Sequence, residues 1–161
     1  MFKILIITSV LLLGLIAGLF YSYSCSVNPG LGRLSDSEYL RAMQSINKAI
    51  LNPWFFVIFM GTLLLLPLCT WLAYEKYDTD QTFYLLLAAT GIYAFGVFGV
   101  TGLGNVPLNE ALAKFSIEGS TLEDIRLQRN AFEVPWNRLN LIRTCANLFS
   151  LLLALIAVVK N

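Results

Sequence analysis

Four stretches of about 20 apolar residues, separated by polar connections, restrict this chain more than any other feature, because each is long enough to cross a ~30 Å hydrocarbon layer as a helix. The expected spans are 4–24, 53–75, 82–103 and 136–159. The fold expected is therefore an all-α membrane protein, a four-transmembrane-helix bundle formed as a single domain. Two connecting segments, helical or irregular, are 25–52 and 104–135, and the spans place both on the same side of the membrane. The 57% hydrophobic and 13% charged content agrees with that class. Localisation as a multi-pass integral protein, in a bacterial inner membrane, is the expectation. The first span is read as a retained helix rather than a cleaved signal, since no small-x-small exit follows it and Ser22-Tyr23-Ser24-Cys25 lacks a lipoprotein leucine.

Individual residues sharpen the spans. Asn52 precedes Pro53 as an N-cap precedes a first-turn proline, and Pro67 is expected to kink the helix that follows. Trp54 and Trp71 are 17 positions apart, about 25 Å along a helix, which matches the separation of two interfacial aromatic belts. Gly14, Gly18 and Ser22 recur every fourth position, and small residues gather again at Ala88, Gly91, Gly99 and Gly102. They predict packing seams within the bundle, with a homo-oligomer or another membrane partner as the alternative.

A net charge of +1 leaves no basic field for nucleic acid. With no histidine and three scattered cysteines, neither a metal site nor a cofactor is expected. One intramembrane charge, no acidic residue inside any span and no internal repeat argue against a transporter. Most cations flank the two connections, which on the positive-inside rule puts that side in the cytoplasm.

The polar connections carry their own order. Ser35-x-x-Glu38 is a capping box opening an amphipathic helix to about Leu51, with Tyr39, Leu40, Met43, Ile46 and Ile50 on its apolar face. Gln44 and Asn47 project from neighbouring turns of it. Asn105 is read as the N-cap of a short helix to about Ile117, and Thr121-x-x-Asp124 as the start of another to about Phe132. The fourth span, beginning near Pro135, carries Asn137, Asn140, Thr144 and Asn147 on one face about 80° wide, with Arg143 beside it. An arginine inside hydrocarbon costs at least ~2.5 kcal/mol, so the stripe should face inward. It is either interhelical glue or the lining of a pocket.

Glycine and aromatic residues leading from Gly18 to Asn28-Pro29-Gly30-Leu31, then Ala42-Met43-Gln44-Ser45-Ile46-Asn47, then Asn105-Val106-Pro107-Leu108-Asn109, and finally Trp136 through Asn140 to Arg143-Thr144, occur in this order. In this the chain resembles the anthrone oxygenase family, small four-helix membrane proteins of bacteria and fungi. The resemblance implies oxidation of a hydrophobic aromatic or quinone-like compound by O2 without a recognised cofactor, as in fungal members that resemble enzymes turning an anthrone into an anthraquinone. Such chemistry needs an apolar slot, a base and an anion stabiliser. Arg143 and Asn140 suit the last, Glu110 is the nearest carboxylate to a motif and the candidate base, and Tyr21 or Tyr23 are weaker bases. Tyr23, Gln44, Asn47, Asn105, Asn109, Trp136, Asn137 and Asn147 are the expected substrate-binding residues. The competing expectation is a non-catalytic membrane protein that binds a lipophilic molecule or joins a larger assembly. An enzyme should show a ligand-sized cavity at the polar end, the alternative a filled one.

Overall fold

The computed structural model describes residues 2–160, apart from the side chain of Tyr77. Among the described residues there are five helices and no strand: α1 (Phe2–Leu31), α2 (Asp36–Ala49), α3 (Pro53–Tyr77), α4 (Gln81–Lys114) and α5 (Leu122–Lys160). All but α2 are long and apolar enough to cross a membrane. α1 packs against α3 and α5, and α4 packs against α3 and α5, so the four long helices close a bundle.

Short-range polar residues set several boundaries as the sequence predicts. Asn52 accepts from Phe55 N–H at 3.1 Å as expected, and Asp80, not singled out by the sequence, accepts from Phe83 N–H at 2.9 Å. Ser35 and Glu38 form the expected capping box, and the hydroxyl of Ser35 with its backbone N–H holds the Glu38 carboxyl below its ordinary range. Trp54 and Trp71 are both exposed, as belt residues should be.

The long helices run past the expected spans. α1 continues to Leu31, α4 to Lys114, and α5 is one helix of 39 residues that carries Pro135 inside it. At 1.5 Å per residue α5 is about 58 Å long, roughly twice a hydrocarbon thickness. The separate helices expected after Asn105 and before Pro135 are thus continuations of α4 and α5. Asn105 has helical φ −67° and ψ −40° and makes no side-chain capping bond, so it is not an N-cap. Thr121 and Asp124 do start a helix, each side chain accepting from the other's backbone N–H, but that helix runs on to Lys160. Pro67 likewise sits inside an unbroken α3.

The packing seams also differ from expectation. A Cβ on Gly14, Gly18, Gly91 or Gly102 would meet nothing within 4 Å. Close approach occurs instead at Gly96, whose added Cβ would lie 2.7 Å from Ala146 Cβ, and at Gly104 against Leu139. The reason lies in the backbone. α4 winds as a π-helix over Ile92–Gly99 and Thr101–Asn105, and a wider turn shifts which residues face a neighbour. On α1, Leu13, Ile16 and Phe20 fill the interior beside the glycine stripe.

At one end α2 lies across the bundle, burying Tyr39, Leu40 and Met43 against Leu112, Phe132 and Trp136. Arg129 of α5 locks this cap. It donates to Gly32 O, Leu34 O, Asp36 and Glu133 at 2.6–3.0 Å and stacks on the Tyr39 ring. Burial, with Glu133 adding to it and Arg129 opposing, pushes the Tyr39 phenol well above its ordinary pKa, so it stays protonated.

Gly96→Ala should lower the thermal midpoint in detergent micelles by an amount equivalent to about 1–3 kcal/mol, the usual cost of overpacking. Ala146→Gly in the same chain should restore most of it.

Candidate functional site

The polar residues named from the sequence fall into two groups, joined by one hydrogen bond. The first is built around Arg143. A π-helical turn of α1, Tyr23–Val27, brings Tyr23 and Ser24 against α5. Ser24 Oγ lies 3.3 Å from Thr144 Oγ1 and accepts from Asn140 Nδ2 at 2.9 Å. Asn140 Nδ2 also reaches Phe20 O, while its Oδ1 accepts from Arg143 Nε and Nη2 at 3.2 and 3.1 Å. The guanidinium lies 4.3 Å from the Phe20 ring centroid and 5.2 Å from that of Trp136, on which Tyr23 packs at 5.6 Å.

Arg143 is only 8% exposed, and no carboxylate pairs with it among the described residues. Two ring faces and one amide oxygen soften the charge without neutralising it. A buried cation kept in this way is expensive.

The second group lines a cleft of about 700 Å³ between α2, α4 and the segment after α4. Gln44, Asn47, Asn109 and Glu110 all border it, together with apolar residues that include Leu51 and Phe115. Gln44 Nε2 donates to Leu112 O and Phe115 O, both at 2.9 Å, fastening α2 to the end of α4. Asn47 Nδ2 is buried without a partner. Glu110 is exposed to the cleft and makes no ion pair or hydrogen bond among the described residues. Glu118 at the rim, by contrast, pairs with Arg41 at 3.3 Å.

The bond between the groups runs from Trp136 Nε1 to Asn109 Oδ1 at 2.9 Å. Trp136 is 3% exposed and lines neither cleft, so it is a buried residue of the cap cluster rather than a belt anchor.

The remaining candidates separate. Neither Arg143 nor Asn140 lines a cleft, and nothing among the described residues joins Glu110 directly to Arg143, so the anion stabiliser and the base expected from the sequence do not meet. Asn147 donates to Leu13 O at 3.3 Å and acts as glue between α5 and α1, with its Oδ1 unpaired. Asn137 borders a smaller notch of about 410 Å³ beside Ser24, Asn28 and Glu133. Asn105 is buried at the end of a π-helical turn with neither side-chain atom bonded. Lys48, Phe115, Phe20 and Ser24 join the two groups without being singled out by the sequence. Lys48 follows Asn47 directly, and Phe20 and Ser24 share one face of α1 at a spacing of four, which are the signals that point to them.

These features define a four-span helical membrane protein with a capped polar end and a ligand-sized cleft in the cap. The anthrone oxygenase family model matches residues 54–153, from Trp54 through the Asn105–Asn109 stretch of α4 and Arg143, and the chain belongs to that family. No curated protein and no solved structure matches it.

Arg143→Met, similar in length but neutral, should change the unfolding free energy by less than about 1.5 kcal/mol, because relief of the buried charge offsets the amide oxygen it leaves unpaired. Denaturation in mixed micelles checks this, and a loss of about 3–5 kcal/mol would mean the guanidinium is held for the fold.

Proposed function

We propose that the protein oxidises a flat, lipid-soluble anthrone-like aromatic with O2, binding it in the cleft between α2 and α4 with Glu110 as the proton acceptor. The observation that carries this is the cleft itself. It has the volume of a small-molecule site, apolar lining residues among polar ones, and a carboxylate with no partner among the described residues. Family membership supports the reaction class.

The chemistry balances without a further oxidant. Glu110 takes one proton from the ring CH2, leaving an aromatic anion. The anion passes an electron to O2, and the two radicals join in a C–O bond. The resulting peroxide takes the proton back from Glu110 and loses water. The CH2 and O2 have then become C=O and H2O, with the substrate carbon oxidised and dioxygen reduced. The residues need only bind the ring system, accept a proton and stabilise the anion.

Arg143 contributes to that stabilisation from a distance. Arg143 packs on Trp136, whose N–H bonds Asn109 beside the cleft; at an effective dielectric near 20, a unit charge on the order of 12 Å from an anion stabilises it by about 1.4 kcal/mol, a factor of about ten in acidity. A positive charge with no counter-ion exerts that effect; one neutralised by a carboxylate would not.

A non-catalytic binding protein is the second reading. The ligand-sized cleft fits it too, but gives no reason to keep Glu110 unpaired or Arg143 buried.

Oxygen uptake by the full chain in nanodiscs with emodin anthrone, corrected for the spontaneous rate, tests the proposal. The native protein should accelerate uptake, Glu110→Gln should lose a factor of about 10² or more, and Arg143→Met about tenfold. No acceleration by the folded native protein would remove the oxygenase reading.

A further inference from the structure

The notch between α1 and α5 shares no residue with the cap cleft. Its volume is about 410 Å³, and its lining is Ser24, Asn28, Pro29, Glu133, Asn137 and Leu141. The apolar run of α1 ends near residue 24 and that of α5 begins near residue 136, so the notch straddles the boundary between hydrocarbon and headgroups. Its unused polar groups are mainly acceptors. Asn137 Oδ1 is buried with no partner, a rare state for a buried polar atom. Glu133 gives one oxygen to Arg129 at 2.6 Å and has the other left over. Asn28 makes no side-chain hydrogen bond among the described residues, whereas Ser24 is already engaged with Phe20 O, Thr144 and Asn140. No cation lines the notch among the described residues. Arg129 beside it is shared by two carboxylates, Glu133 and Asp36, which leaves that cluster one net negative charge.

We propose that this notch seats the primary ammonium headgroup of a membrane lipid, phosphatidylethanolamine. An ammonium carries three N–H donors and a positive charge. Asn137 Oδ1 and the free oxygen of Glu133 accept two of the donors, and Asn28 can turn its amide oxygen to the third. Charged donors on a carboxylate make the stronger kind of hydrogen bond. A choline headgroup has the same charge but no N–H, a glycerol headgroup has hydroxyls but no cation, and a serine headgroup adds a carboxylate that Glu133 repels. Ethanolamine matches both the acceptors and the charge. The occupant comes from the bilayer rather than from solution because the notch opens onto apolar surface: Leu141 lines it, and on the same stripes Tyr21 of α1 and Leu148 of α5 are exposed. The acyl chains would lie there. Ser24 belongs both to the notch and to the cage around Arg143, so a seated headgroup holds the π-helical turn of α1 against α5.

The test is native mass spectrometry of the full chain released from nanodiscs that hold phosphatidylethanolamine, phosphatidylcholine and phosphatidylglycerol in equal parts with matched acyl chains. Expected is a retained phospholipid, with ethanolamine favoured over choline about tenfold or more. The monomethyl and dimethyl ethanolamine lipids, which lose one N–H at each step, should fall between the two. Asn137→Leu should abolish the preference while leaving the thermal midpoint in pure phosphatidylcholine nanodiscs unchanged, because there the amide oxygen has no partner to lose. Asn28→Ala should weaken the preference several-fold, and serves where Asn137→Leu fails to fold. Equal retention of the ethanolamine and choline lipids, or the native preference in both variants, would overturn the proposal. Displacement of the retained lipid by an equal concentration of glycerophosphoethanolamine, the same headgroup without chains, would overturn its assignment to the bilayer.

Discussion

Hydrocarbon offers no hydrogen bonds, so polar side chains on a spanning helix must find partners on its neighbours. On α5 that requirement organises one whole side of the bundle. Asn140 bonds Phe20 O, Ser24 and Arg143 at once, Asn147 holds Leu13 O, and Ser150 holds Ala89 O at 2.9 Å. These bonds draw α1 and α4 onto α5, and Tyr93 and Thr70 tie α4 to α3 in the same manner. The consequence for function is positional. With α5 fixed this way, Trp136 is buried at the foot of the cap, and its N–H decides how Asn109 is turned at the edge of the cleft.

The cap depends on a different kind of contact. α2 contributes little to the membrane-facing bundle; it is held by the apolar packing of Tyr39, Leu40 and Met43, by Gln44 on the end of α4, and by Arg129 reaching the α1–α2 turn. A planar guanidinium can satisfy four acceptors on three elements where an ammonium could not. The cleft is what remains between α2 and α4 once these anchors are made. Its polar groups include some that packing left unused, Asn47 Nδ2 and Glu110 among them, beside Lys48 and the Arg41–Glu118 pair.

Local signals are legible in the sequence and tertiary ones are not. The caps at Asn52, Ser35 and Thr121 act over three or four residues, so their positions can be read directly. Helix ends in the cap cannot, because the apolar run stops where the bilayer stops while the backbone bonding of α1, α4 and α5 continues into water. Pro107 and Pro135 read as boundaries, yet both lie inside continuous helices, where tertiary packing outweighs the lost donor and the crowded carbonyl four residues back. The glycine seams are misplaced by a regular helical wheel because the π-helical stretches of α4 shift its register, so that Gly96 and Gly104 face α5 rather than Gly91 and Gly102. The polar residues themselves are all visible. Their division into a cage around Arg143 and a cleft beside Glu110 is not, since it depends on a single contact between residues 27 positions apart.

The central claim is that ligand binding takes place in the cap cleft and that Arg143 acts on it from outside. A photoreactive hydroxyanthraquinone carrying a diazirine, cross-linked to the full chain in nanodiscs and mapped by peptide mass spectrometry, tests this most directly. The account predicts labelling within residues 41–51 and 106–118, competed away by unmodified hydroxyanthraquinone. Competed labelling confined to α1 and α5 around Phe20 and Arg143 would place the site in the cage and contradict it.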